Sequence, residues 1–174
     1  MRNIIIYLVL IVGFIYFMIS KGADESDRKS HKLSTISCQK EVSFSDKLHD
    51  ATSVKVAKEL LCSGKYTAES SIIKSTHIKS RISNYLQTDT VDKVLKRVIN
   101  EFKKEDPKNF NNKLKIQYSI IENSRANRVE VGYLDFKFLL DDKIIYEAQI
   151  DYIGKTGEDI SRRIKCVINS FISI

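Results

Sequence analysis

The chain has 174 residues, with 29 Lys and Arg against 22 Asp and Glu, a net charge of +7, one proline and no tryptophan. Hydrophobic residues make up 43%, too many for a wholly disordered chain, and three cysteines are too few for a disulfide scaffold. Setting aside an apolar start leaves about 154 residues, enough for one domain with its own core.

Residues Ile4 to Ile19 are apolar except for Gly13, with Arg2 before them and Lys21, Asp24, Glu25 and Asp27 after. The run is near the lower limit for crossing a bilayer, and Tyr7 and Tyr16 sit toward its ends. The charge pattern predicts a cytoplasmic stub and a transmembrane anchor at 1–20, a flexible tether at 21–44 and a periplasmic domain at 45–174. A cleaved signal peptide is the rival reading, although Lys21 sits badly at the third residue of a site cut after Ala23. Cys38 lies too far beyond the apolar run to be a lipidated cysteine.

Thr52 to Gly64 reads as a short helix, capped by Thr52 or Ser53 and closed by Gly64, with Val54, Ala57 and Leu61 on one face. A second helix is predicted over Thr67 to Leu86, from Ile78, Ile82, Tyr85 and Leu86 at helical spacing. The third is the clearest: Val91, Val94, Leu95, Val98, Ile99 and Phe102 form one stripe, with Thr90 as cap and Asp106-Pro107 as the stop.

The apolar period then falls to two. Lys113 to Ile121 is a half-buried strand carrying Leu114, Ile116, Tyr118 and Ile120. Val129 to Leu140 is the next, with a phase slip beside Gly132 that predicts a bulge. Asp141-Asp142-Lys143 is a tight turn into a strand over Ile144 to Ile153, with Ile144, Tyr146, Ala148, Ile150 and Tyr152 on one face. A last helix starts near Glu158 with the stripe Ile160, Ile164, Val167, Ile168, Phe171 and Ile172, which leaves Cys166 on the polar side. The expected fold is α+β: the N-terminal transmembrane helix, then a two-layer domain of about three helices, a three-stranded antiparallel meander and a C-terminal helix. The layout is similar to that of bitopic inner-membrane subunits of type IV secretion systems, in arrangement and not in motif.

Three cysteines in an exported domain leave one unpaired or pairing between chains. Cys38 and Cys62 enclose the shortest loop and are the candidate disulfide; Cys62 with Cys166 is the alternative. His31, His49 and His77 lack metal-ligand spacing, and Gly154-Lys155-Thr156-Gly157 lacks the phosphate-loop pattern, so no cofactor, metal or catalytic residue is expected.

Two surfaces are candidates for a partner. Residues 55–115 carry 14 basic against 7 acidic side chains, which nominates Lys93, Lys96 and Arg97 on the third helix. Glu147, Gln149 and Asp151 alternate along the last strand, which makes an acidic sheet face for a basic partner. Nucleic acid is not expected, because no aromatics interleave with the lysines and the domain is placed outside the cytoplasm. The sequence thus suggests a non-enzymatic, single-pass binding or scaffolding subunit of a bacterial envelope complex. Its partners would be the membrane, through residues 4–20, and one or more envelope proteins of a secretion-type or toxin-immunity system. A carrier of lipid or another apolar ligand is the alternative, and an envelope hydrolase comes third.

Overall fold

The computed structural model describes residues 36–77, 79–80, 82–84, 86–104, 110–123, 131–153 and 157–174. The anchor and most of the tether lie outside these residues, as do Pro107 and Gly154 to Thr156. Among the described residues, no helix is long and apolar enough to cross a membrane.

The elements run as follows: a 3-10 turn at Ser37–Glu41, β1 (Phe44–Leu48), α1 (Ala51–Cys62), β2 (Tyr66–Ile73), a 3-10 turn at Ile82–Asn84, α2 (Thr88–Asn100), β3 (Leu114–Glu122), β4 (Gly132–Leu140), β5 (Lys143–Tyr152) and α3 (Ile160–Ser173). The expected three-stranded meander is incorrect. β3, β4 and β5 do pair antiparallel in succession, but they are the middle of a five-stranded mixed sheet of order β1-β5-β4-β3-β2. β2 lies parallel to β3, joined to it through α2, and β1 pairs antiparallel with β5.

The expected helix over Thr67 to Leu86 does not exist. Its first half is strand β2, and among the described residues a short 3-10 turn is the only element that follows before α2. The α-helices of the described residues therefore number three, counting the C-terminal one. The chain is also packed earlier than residue 45: Ile36, Cys38 and Val42 lie against the core ahead of β1.

One sheet face carries the helices. Leu114, Ile116, Tyr118, Ile120, Leu134, Phe136, Phe138, Tyr146, Ala148, Ile150 and Tyr152 point inward and are buried. The apolar stripes of α1, α2 and α3 close over them. Phe171 of α3 stacks on Phe138 at 4.3 Å between ring centroids, and Tyr146 lies 5.4 Å from Phe171. Polar ties fix the layers in register. The Tyr118 hydroxyl donates to Asp92 of α2 at 2.6 Å, and the Ser70 hydroxyl donates to the same carboxylate at 3.1 Å. Burial pushes the Tyr118 phenol above its ordinary pKa, so it stays a donor.

The bulge falls elsewhere than expected. Gly132 pairs in register with Glu122 and Tyr152, and its missing side chain makes room for the Tyr152 ring and the Ile121 carbonyl. The irregularity lies between Phe138 and Leu139, opposite β5, where Tyr146 and then Ile144 are the partners and Ile145 is the extra residue. Ile145 accordingly turns into the core and Ile144 is 37% exposed, the reverse of strict alternation. The hairpin at Asp141-Asp142 forms as the sequence predicts, with both residues at positive φ as a two-residue turn requires. Asp141 is held there by the Lys113 backbone N–H and Asn112 Nδ2, which also keep its carboxyl below the usual range.

Helix α1 starts one residue earlier than predicted, because Asp50 is the cap. Its carboxylate accepts from the backbone N–H and hydroxyl of both Thr52 and Ser53. Those bonds, the Ser53 and Thr52 hydroxyls foremost, hold the Asp50 pKa down to about 2. Asp50→Ala lowers stability by about 1 kcal/mol at neutral pH. The folded pKa lies below the ordinary value of 3.8, so this stability is present above pH 4 and is lost as pH falls toward 2. Urea titrations of both proteins at pH 7 and pH 2.5 check this: the gap between them should close at the lower pH.

Candidate functional site

The second sheet face bears no helix. Cross-strand register arranges its side chains in rows. One row runs Ser71, Ser119, Asp135, Gln149, Ser45, and the next runs Glu69, Gln117, Lys137, Glu147, Lys47. Small hydroxyl and amide residues in the first row leave a shallow trough across the sheet. Two hollows make it up, of about 330 and 280 Å³, and they share Asp135 and Lys137. These volumes sit at or below the low end for small-molecule pockets, and both hollows open to solvent along their length.

Asp135 is the centre of this surface. It stands on the middle strand, half-buried, and desolvation raises its pKa; Lys137 opposes the rise and Glu147 adds to it. Around it the polar groups are mostly satisfied by each other. Ser71 and Ser119 hydroxyls bond at 2.8 Å, Gln117 Nε2 donates to Glu69 at 2.8 Å, and His49 Nε2 lies 2.8 Å from Glu147 Oε2. Lys137 Nζ is 3.7 Å from Glu147. The under-solvated carboxylate of Asp135 has no such partner among the described residues, which leaves it available to a donor from outside.

The sequence places Glu147, Gln149 and Asp151 correctly on one face, and that face is the open one. It is not an acidic surface, however. Glu69, Asp135, Glu147 and Asp151 share it with Lys47, Lys115 and Lys137, four acids against three bases. One end is apolar: Ile73, Ile121 and Tyr133 form a row that ends at Asp151, with Ile153 beyond it. Ile73 is 49% exposed and Ile153 43% exposed.

Lys93, Lys96 and Arg97 are exposed on α2, in the opposite layer, so the two candidate surfaces are not one site. Arg97 donates to the Ser161 hydroxyl of α3 at 3.2 Å. Asp135 and Lys137 are the residues that sequence reasoning missed. Their signal is present, because the inward alternation of Leu134, Phe136 and Phe138 places Tyr133, Asp135 and Lys137 on the outer face.

The disulfide joins Cys38 to Cys166, not to Cys62; the S–S distance is 2.06 Å. Cys62 is a buried free thiol, and burial raises its pKa. The helical wheel misplaced Cys166. It is 2% exposed because the segment around Cys38 lies over that side of α3. Beside the bridge, Gln39 Nε2 donates to the Ser170 hydroxyl, and the Ser170 and Tyr146 hydroxyls both reach Asp46 Oδ2, each at 3.0 Å.

Among the described residues, no cluster of His, Cys, Asp and Glu is placed to hold a metal ion. No protein-family model matches the chain, and no curated protein matches it by sequence. Among solved structures, a PelC variant dodecamer from Paraburkholderia phytofirmans is similar over 74% of this chain and 95% of its own. At 12% identity and a TM-score of 0.36 that likeness carries no argument about family or function.

Proposed function

We propose that the protein is a non-enzymatic binding or scaffolding subunit of a bacterial envelope complex, working outside the cytoplasm at the inner membrane, with the open sheet face as its docking surface. The observation that carries this reading is the helix-free face itself: a solvent-open trough around the under-solvated Asp135, flanked by the exposed Ile73 and the half-buried Ile121 and Tyr133. Mixed polar groups beside exposed apolar ones suit a protein partner. The Cys38–Cys166 bridge supports an oxidising compartment, and the charge pattern around residues 4–20 supports attachment to the membrane. Between α3 and the sheet the rings of Phe136, Phe138, Tyr146 and Phe171 pack against one another, which favours a docking module over a carrier of apolar ligands.

The test is affinity capture of the full-length protein from native membranes in mild detergent, with mass spectrometry of what accompanies it. One stoichiometric partner is expected, and its identity separates a secretion-type machine from a toxin-neutralising role. Asp135→Lys with Gln149→Lys should cut its recovery at least tenfold without altering the circular dichroism spectrum. Reversing Lys93, Lys96 and Arg97 tests the helical face in the same way at low salt. A partner indifferent to the Asp135 and Gln149 changes would sink the open-face reading.

A further inference from the structure

The two edges of the sheet are unlike. β1 is five residues long and carries Asp46 and Lys47, charges of the kind that discourage edge pairing. β2 is eight residues long, Tyr66–Ile73, with Glu69 as its one charged residue and no proline, lysine or glycine. Every residue of β2 pairs with β3 on one side. On the other side, among the described residues, no backbone hydrogen bond from another segment reaches it. Thr67, Ala68, Glu69, Ser71 and Ile73 are exposed. A strand of this length would leave its outward N–H and C=O groups to water unless another strand joins it.

We propose that β2 pairs antiparallel with β2 of a second copy of this chain, joining two sheets into one. Self-pairing about a two-fold axis constrains the register. Residues directly opposite must share a face, so the axis passes through a residue and not between two. The middle of Tyr66–Ile73 offers two such residues, Glu69 and Ser70. An axis at Glu69 sets two carboxylates against each other, which is repulsive. An axis at Ser70 opposes no like charges. It sets Glu69 opposite Ser71 of the second copy, Ala68 opposite Ile72, Thr67 opposite Ile73, and Tyr66 opposite Lys74.

The Ser70 register also uses the exposed apolar end. Ile73, half-exposed in one copy, lies against the Thr67 methyl of the other, and this contact occurs twice. The small exposed Ala68 leaves space for Ile72 from across the axis. The open faces of the two copies then lie on the same side of the joined sheet, so the troughs around Asp135 remain uncovered. The pairing therefore leaves the trough open for the function proposed above, and shares with its surface the rim residues Ser71 and Ile73.

Light scattering on the full-length protein in mild detergent, with the detergent mass subtracted, tests the idea. The expected result is a dimer whose mass halves on Ser71→Lys with Ile73→Lys, two edge lysines that leave the melting temperature within a few degrees of wild type. Ser70→Cys, at the axis, should cross-link to a dimer under mild oxidation, whereas Ser45→Cys on the opposite edge should not. A monomeric wild-type protein overturns the proposal. So does a dimer that persists in the lysine variant, because its contacts would then lie elsewhere. A Ser70→Cys protein that dimerises without cross-linking rejects the register and with it the proposal as stated.

Discussion

Reducing the Cys38–Cys166 bridge lowers the stability of the protein by about 4–5 kcal/mol, the largest effect expected of any single covalent change. The two cysteines are 128 residues apart, and the loop-closure entropy that a cross-link removes from the unfolded chain grows with that separation. Local contacts add to the effect. The bridge holds the segment with Ile36, Cys38 and Val42 over α3, beside the part-buried bond from Gln39 to Ser170 and the buried one from Tyr146 to Ser170. Guanidinium titrations of the full-length protein with and without reductant measure it, and the Cys38→Ser, Cys166→Ser double variant should match the reduced form. A chain of this size should lose roughly 10–20 °C in Tm. A shift below about 1 kcal/mol would mean that the segment around Cys38 contributes little beyond its own packing.

Phe171→Ala is expected to cost about 3–5 kcal/mol. Phe171 is fully buried where α3 meets both β4 and β5, stacked on Phe138 and leaning on Tyr146. Removing the ring takes away its burial and leaves a void that three elements would have to move to close. Phe171→Leu keeps much of the volume and should cost less than half as much. Urea unfolding of the two variants measures both values. Equal losses would show that stacking geometry, not volume, decides the contact.

The fold was legible in the sequence where residues face two different environments. β3, β4 and β5 alternate because one face meets helices and the other meets water, and α2 and α3 carry continuous stripes for the same reason. β2 was missed because it is an edge strand with Thr67, Ala68 and Glu69 all exposed, so no alternation marks it. Ile78, Ile82 and Leu86 then offered a false helical spacing; Ile82 and Leu86 are buried from a short turn and a loop instead. β1 was missed because five residues containing Asp46 and Lys47 look like the charged segment before them. The face of Glu147, Gln149 and Asp151 followed from strand parity alone. Asp135 lay within reach of the same parity, because β4 is the middle strand of the expected meander and of the observed sheet alike; only the row's outer members on β1 and β2 depended on the two strands that were missed.

Cysteine order along the chain gives the bridge a further meaning. Cys62 becomes available long before Cys166 as the polypeptide emerges from its amino end, and it is far closer to Cys38 in sequence. The pair that sequence distance favours is thus the first one that can form, and the native pair is the last. β1 is under the same delay, since its strand partner is β5. Oxidative folding therefore ends with the segment around Cys38 being fastened to α3, and any early Cys38–Cys62 bond must be exchanged before that can happen. Once α1 has packed, Cys62 sits buried with a raised thiol pKa, a poor nucleophile, so the exchange does not readily run backward.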